Sequence, residues 1–405
     1  MLARMLPPDE VGAYGLITAT LAFALLGLGL EFYSYTLREL VPASPLRRAQ
    51  IIMDQLALGA ATFAAIMVFS GLAVVAGAFP SQLAPWFLLV LATEHISLEA
   101  TRILIITSRP VRAYIGVFLR GGVWVYAITL LMFANPSSRT LETVLIWWAL
   151  GGAASILFAA FSLKELPWRE IGRRSIDWQW VRTGLLTARP FMLTAAGALL
   201  ISYADRFLID MFIGRGALGI YTFYSTIAIG ILSLGASISQ QFLPKVIAAY
   251  ARDLPTFRRS VRNFFWSLLG VAGGMIVLAG VLILPLMSLL QLDQYTQGIG
   301  VFFLMLPGLL VRVLADVPSY ALYAARADSS LLYCNLGSAV VSVALNLVFI
   351  PIMGNYGAAL SGCIASTVLL ATLTYATIRR YREDIGKPAP ATPAGFPTDA
   401  DMLYP

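Results

Sequence analysis

Residues 141–163 read LETVLIWWALGGAASILFAAFSL, a run whose only charge is Glu142 near its start. A helix that crosses a bilayer needs roughly 17–25 mostly apolar residues, and this run meets that requirement by itself. Ten further runs of the same kind, bounded by Pro, Gly and charge clusters, occupy 11–32, 51–79, 82–106, 113–134, 190–212, 218–242, 264–290, 298–323, 331–352 and 357–378. None shows the alternation expected of membrane-barrel strands. The sequence therefore predicts an all-α polytopic membrane protein with about eleven transmembrane helices.

The composition of the whole chain agrees. Of 405 residues, 59% are hydrophobic and 12% are charged, where soluble domains carry about 25% charge. The mean hydropathy is +0.79. Disorder and a solvated enzyme are excluded. Catalytic chemistry is equally restricted: there is one histidine, His95, and the two cysteines, Cys334 and Cys363, lie in apolar runs without metal-ligand spacing. No phosphate-cradling glycine loop, nucleophile elbow or paired-histidine motif is present. We expect no cofactor, no metal and no enzyme activity.

The net charge of +7 is informative through its placement. Of the 28 Lys and Arg residues, all but seven fall in alternate loops on one side of the predicted spans. The exceptions are Arg4, Arg139 and Arg215 on the other side, and Arg102, Arg120, Arg206 and Arg312 inside spans. Basic residues collect on the cytoplasmic side, so the charge reads as topology rather than as a nucleic-acid surface. The C-terminus is expected inside and the N-terminus outside.

An internal echo accounts for the odd number of spans. Gly12-Ala13-Tyr14 opens the first span and Gly219-Ile220-Tyr221 the seventh, while Gly151-Gly152-Ala153-Ala154-Ser155 is echoed by Tyr356-Gly357-Ala358-Ala359-Leu360-Ser361 at nearly the same offset. Two like halves of six spans would need one more helix, of about 20 residues, before Met1. The expectation is a twelve-span 6+6 architecture lacking its first helix, its halves related by an axis along the membrane normal. Residues 1–163 form a first lobe of five spans and 190–386 a second lobe of six. Between them, 164–189 reads as an amphipathic cytoplasmic linker on anionic lipid, with Trp168, Trp178 and Trp180. The tail 387–405 is Pro-, Ala- and Thr-rich and is expected to be disordered.

Four stretches carry a family resemblance. Met5-Leu6-Pro7-Pro8-Asp9-Glu10-Val11-Gly12-Ala13-Tyr14-Gly15 and Thr36-Leu37-Arg38-Glu39 resemble the segments flanking the second helix of polysaccharide exporters. Asp205-Arg206-Phe207-Leu208 with Gly214-Arg215-Gly216-Ala217-Leu218-Gly219-Ile220-Tyr221 is similar to the start of their second half. Asn346-Leu347-Val348-Phe349-Ile350-Pro351, followed by Gly354-Asn355-Tyr356-Gly357-Ala358-Ala359, is similar to their eleventh-helix ending. These exporters are the lipid-linked oligosaccharide flippases of the multidrug/oligosaccharidyl-lipid/polysaccharide superfamily. The resemblance implies two six-helix lobes in a bacterial inner membrane that move an undecaprenyl-diphosphate-linked sugar to the outer leaflet by alternating access. It also implies membrane lipids, a polysaccharide polymerase and export machinery as partners.

The intramembrane charges give that expectation its residues. An Arg or Asp at a helix centre costs roughly 2.5–3.5 kcal/mol on insertion scales, so four arginines facing lipid would cost on the order of 10–14 kcal/mol. They should face the protein or a wet cavity. Arg102, Arg120 and Arg312, from mid-membrane to the cytoplasmic half, are the candidate contacts to a diphosphate headgroup, whose oxygens suit the guanidinium fork; Arg206, in the outer half, is a later one. Glu94, Glu99, Asp316 and Asp205 are the candidate coupling or gating acids. His95, Glu99 and Arg102 share one helical face, and Arg312 with Asp316 is an i, i+4 pair.

A structural reading stands beside the functional one. The pairs Glu99 with Arg102, and Arg206 with Asp210, would lock helices together, and His95 would be a hydrogen-bonded interior residue. Trp86, Trp147 and Trp148 read as interface anchors, Gly270 and Gly274 as a close helix contact, and Pro285, Pro307 and Pro318 as kinks. Two rival functions remain: a multidrug/cation antiporter of the same superfamily, whose cavity should be rich in acids and aromatics, and a membrane-embedded glycosyltransferase or polymerase, which needs a larger loop than any here.

Overall fold

A computed structural model describes residues 2–40, 43–77, 81–106, 109–164 and 176–384, and among these its regular structure is helical with no strand. The long helices are α1 (Pro8–Gly29), α2 (Pro45–Val75), α3 (Ala84–Ile106), α4 (Pro110–Ala134), α5 (Leu141–Ser162) and α6 (Trp178–Phe212). They continue as α7 (Arg215–Arg252), α8 (Leu254–Leu290), α9 (Asp293–Ala324), α10 (Asp328–Met353) and α11 (Asn355–Asp384). Ten of these are long and apolar enough to cross a membrane. The exception, α3, has the length at 23 residues but carries Glu94, His95, Glu99 and Arg102. Each of the eleven predicted runs is occupied by one helix.

Several helices outrun their apolar segments because hydropathy reports burial in lipid, whereas a helix ends where its backbone is capped. The Thr140 hydroxyl accepts the Thr143 N–H at 3.2 Å to start α5. Asp177 accepts the Trp180 N–H at 2.9 Å to start α6, and Asp253 accepts the Thr256 N–H at 2.7 Å to start α8. The backbone and hydroxyl hydrogen bonds from Thr256 hold the Asp253 carboxyl below the usual carboxylate range. Residues 178–189, read from the sequence as the end of a linker, are thus the first turns of α6. Trp180 does not lie on lipid: it is 7% exposed, meets the Phe32 ring edge-on at 5.2 Å and donates Nε1–H to Glu39 at 2.7 Å. The linker residues 165–175 and the tail 387–405 lie outside the described residues.

The chain divides into two compact units, Met1–Thr222 and Phe223–Pro405. In the first, α3 packs on α5 through small residues: a Cβ at Gly152 would lie 2.7 Å from the Thr93 Cβ, and the Ser97 hydroxyl donates to the Gly152 carbonyl at 3.1 Å. Helix α6, which the sequence reading placed at the start of the second lobe, clusters with this first unit. It runs along α1, with Gly184 giving room to Phe32 and Tyr35 and with the Phe23 and Phe207 rings 6.0 Å apart.

The echoed glycines meet within this unit. A Cβ on Gly12 would collide with the Arg215 carbonyl oxygen, and one on Gly219 would collide with the Pro8 carbonyl oxygen. Pro8 and Arg215 are 207 residues apart, as are Gly12 and Gly219. Gly15 lies against Thr222, again its own counterpart at that offset. When residue i meets the counterpart of j, and j meets the counterpart of i, the contact has a local pseudo-twofold axis. The repeat read from two short motifs is therefore expressed as a backbone-to-backbone contact between α1 and the start of α7.

In the second unit, α9 breaks at Ala315 between Ile299–Leu314 and Asp316–Ala324. Pro318 accounts for the break, since it offers no N–H to the Leu314 carbonyl and its ring crowds that carbonyl. Gly308 of α9 accommodates Cys363 of α11, where a Cβ would lie 2.6 Å from the sulfur. The turn between α10 and α11 rests on Gly354 at φ 58 and ψ −135, a conformation that side chains rarely adopt. Gly270 and Gly274, by contrast, do not mark a helix contact: a Cβ at either meets nothing within 4 Å.

These glycines predict opposite responses. Gly219→Ala should destabilise the purified protein by about 1–3 kcal/mol through overpacking, whereas Gly270→Ala should be neutral or stabilise by up to about 1 kcal/mol. Thermal unfolding in detergent measures both; equal melting temperatures would remove the backbone contact from the account.

Candidate functional site

Among the described residues, Arg102, Arg120 and Arg312 are each held beside an acid, in two clusters on α3 and one on α9. The first centres on Glu94, about 15 Å from the start of α3 at 1.5 Å per residue. One carboxylate oxygen accepts Nε1–H of Trp148 at 2.7 Å, and the other lies 3.6 Å from Nε of Arg120. Arg120 sits in a π-helical turn, Leu119–Val123, inside α4. Such single turns widen the helix locally and occur often at functional sites. Trp148 stacks on Trp124 with centroids 5.9 Å apart and planes 9° apart, and Tyr14 meets it from α1 at 6.0 Å. Trp148 is therefore a hydrogen-bond donor to the half-buried Glu94 and not an interface anchor. Trp86 likewise donates Nε1–H to Glu142 at 2.8 Å.

The second cluster lies about a turn and a half further along α3. Glu99, 5% exposed, accepts Nη1–H of Arg102 at 2.6 Å and the side-chain amide N–H of Gln55 from α2. Arg102 also sits 4.5 Å over the Tyr33 ring. This is the expected Glu99–Arg102 pair, with Gln55 as a third member. His95 packs close to Gly59, whose Cβ would lie 3.1 Å from Nε2. Among the described residues no hydrogen bond to His95 is found, so the expected hydrogen-bonded role is not what the structure shows.

The third cluster belongs to the second unit. Nη1 of Arg312 lies 3.9 Å from Oδ1 of Asp316, and Ser239 of α7 donates its hydroxyl to Oδ2 at 2.8 Å. The predicted i, i+4 pair is present and loose, straddling the break in α9.

Arg206 departs from its expected pairing. Asp210 is held by both Nε and Nη2 of Arg215, at 2.6 and 3.0 Å, a fork-on-carboxylate pair across the turn that joins α6 to α7. Arg206, 2% exposed, instead donates to the Thr18 hydroxyl at 3.4 Å and lies 4.7 Å over the Tyr203 ring. Asp205 accepts the Tyr221 hydroxyl and, at 2.8 Å, the Arg206 backbone N–H. Depth suggests Arg206 as a later substrate contact, and in this structure it is buried, unlike the other three arginines. Their side chains remain 25%, 20% and 26% exposed for Arg102, Arg120 and Arg312.

Sequence spacing reveals pairs within one helix; it does not reveal Glu94 with Arg120 and Trp148, which lie on three helices. The available signal was the cost of an isolated charge at mid-span, which demands a partner without naming it.

Comparison with solved structures shows the fold. The chain superposes on an inward-facing multidrug resistance MATE family transporter of the MOP superfamily with a TM-score of 0.76 and 13% identity, covering 95% of this chain and 94% of that one. It also superposes on the lipid II flippase MurJ, in an inward closed conformation, with a TM-score of 0.70 and 15% identity, covering 94% and 87%. No family model and no curated protein sequence matches the chain. The all-α polytopic exporter fold expected from the sequence is the fold observed.

A charge pair with both members mostly enclosed is costly to break from one side. Glu94→Gln should destabilise the protein by about 3 kcal/mol, and the double variant Glu94→Gln with Arg120→Gln should recover part of that loss. A double-mutant cycle on thermal unfolding checks this; additive losses would mean that the two groups do not interact.

Proposed function

We propose that this chain is a transporter that moves an anionic, lipid-diphosphate-linked oligosaccharide from the inner to the outer leaflet of a bacterial inner membrane. The observation that carries the reading is the state of Arg102, Arg120 and Arg312. Each lies inside a span, keeps a fifth to a quarter of its side chain exposed, and faces a carboxylate at 2.6, 3.6 or 3.9 Å. A guanidinium held this way is neutralised at rest and still offers N–H groups to a second acceptor. Phosphate oxygens present the same fork-matching geometry as a carboxylate and more charge, so a diphosphate competes for these arginines directly.

The acids then have a role of their own. When the substrate takes an arginine, Glu94, Glu99 or Asp316 is left as an uncompensated carboxylate in a low-dielectric site. It must take up a proton or a cation, which couples headgroup capture to ion binding. Asp205, tied to Tyr221 and the Arg206 backbone, belongs to the same proposal as a gating acid on the α6–α7 connection. Alternating access, a cytoplasmic C-terminus and a working association with a polysaccharide polymerase and export machinery complete the reading.

One observation favours a second reading, a multidrug/cation antiporter. Glu94 accepts Nε1–H of Trp148, on whose ring Trp124 and Tyr14 pack, a carboxylate at an aromatic cluster of the kind that takes an organic cation. Arg120 at 3.6 Å opposes it, because a cation would have to displace or tolerate a neighbouring guanidinium. The anionic substrate is therefore preferred.

Arg312→Ala should stop export and accumulate the lipid-linked precursor in cells while the amount of membrane-inserted protein holds. Arg312→Lys should rescue only in part, because a point charge lacks the fork. Lipid analysis of the two strains tests this, and unchanged export by Arg312→Ala would sink the headgroup role.

A further inference from the structure

A cavity of about 1150 Å³ opens in the second unit between the start of α8 and the end of α11. Its two long walls are formed by α8 and α11. On α8 the lining includes Arg258, Arg262 and Phe265, and on α11 Leu370, Ile378 and Arg382, at the i, i+4 and i+7/i+8 spacings that bring side chains to one side of a helix. The floor is Leu314, Val317 and Pro318, the segment where α9 breaks. Both helices present their arginines at the same end of the cleft, because α8 begins where α11 finishes. Arg259 joins them, and among the described residues no acid lines the cavity. Asp316, beside Val317 of the floor, is held by Arg312 and Ser239, and Asp253 at the start of α8 is occupied with the helix cap and lies 3.9 Å from Arg252. The cleft is thus apolar along its length and cationic at its mouth.

A second recess of about 290 Å³ shares Ile378 and Arg382 with the first and adds Tyr375 and Arg379. Arg382 therefore lines both recesses, the second with Tyr375 and Ile378 as its apolar part.

We propose that this cleft is a binding site for a membrane phospholipid with an anionic headgroup. The phosphate sits among Arg258, Arg262 and Arg382, one acyl chain runs along Phe265 and Leu370, and the other lies in the adjoining recess. The charge pattern selects an anion, and the apolar walls select one that carries hydrocarbon, which a soluble phosphate does not. Two recesses flanking one arginine suit a diacyl lipid. Its arginines are not among the proposed transport residues, although its floor flanks the Arg312–Asp316 pair, and its occupancy does not depend on the nature of the transported molecule.

The full chain, purified in detergent, is titrated with phosphatidylglycerol, phosphatidylcholine and inorganic phosphate, with thermal unfolding and native mass spectrometry as readouts. Phosphatidylglycerol should raise the melting temperature and remain bound as a discrete adduct, and the other two should not. The triple variant Arg258→Gln, Arg262→Gln, Arg382→Gln changes only exposed side chains and should weaken phosphatidylglycerol binding on the order of a hundredfold. Leu370→Trp, which keeps every arginine and fills the cleft, should also reduce it. An equal response to phosphatidylcholine, an equal response to inorganic phosphate, or full binding by both variants would each overturn the proposal.

Discussion

A guanidinium in the hydrocarbon core of a bilayer must find an acceptor within the protein, and much of this structure is arranged around that requirement. Arg120 meets it across helices, from a π turn in α4 to Glu94 on α3. Arg102 meets it one turn away on its own helix, and Gln55 from α2 completes the coordination of Glu99. Arg312 meets it across the break in α9, with Ser239 holding the second carboxylate oxygen. Each cluster therefore joins two or more helices as well as cancelling charge. The features that would be faults in an apolar helix, a π turn and a proline break, sit at two of the three clusters.

Backbone proximity is the complementary constraint. Without a hydrophobic force between helices in lipid, close packing and hydrogen bonds must hold them together, and small residues permit both. The contact of Gly12 with Arg215 and Gly219 with Pro8 lets α1 and α7 touch main chain to main chain. Its pseudo-twofold form gives the internal repeat a physical meaning that similarity of two tripeptides did not. At the other end of α6, Phe32, Tyr35 and Trp180 form an aromatic cluster that fixes the helix against α1 and the short helix Tyr33–Leu40 that follows it.

How much of this was legible follows from which interactions are local. The eleven helices were readable because hydrophobic length is a property of contiguous residues. The Glu99–Arg102 and Arg312–Asp316 pairs were readable because three or four residues bring side chains to one helical face. The helix ends were not, since hydropathy is silent about caps such as Asp177 and Asp253. Nor were the partners of Glu94, because Trp148 and Arg120 approach it through tertiary packing. Asp210 misled by the same logic that succeeded elsewhere. Its i, i−4 neighbour Arg206 was available, but Arg215 across the turn offered two donors. Gly270 and Gly274 show the limit of spacing as evidence, since they carry the small-residue pattern on an open face.

The central claim is that paired arginines inside the spans receive an anionic lipid-linked headgroup. Its most direct test is transbilayer movement by the purified chain in proteoliposomes, followed with a fluorescent polyprenyl-diphosphate sugar. The account predicts protein-dependent movement of that lipid, slowed by a soluble diphosphate competitor and lost in Arg102→Gln with Arg312→Gln. It is contradicted if the lipid stays in its original leaflet while a cationic dye is driven across by an imposed ion gradient.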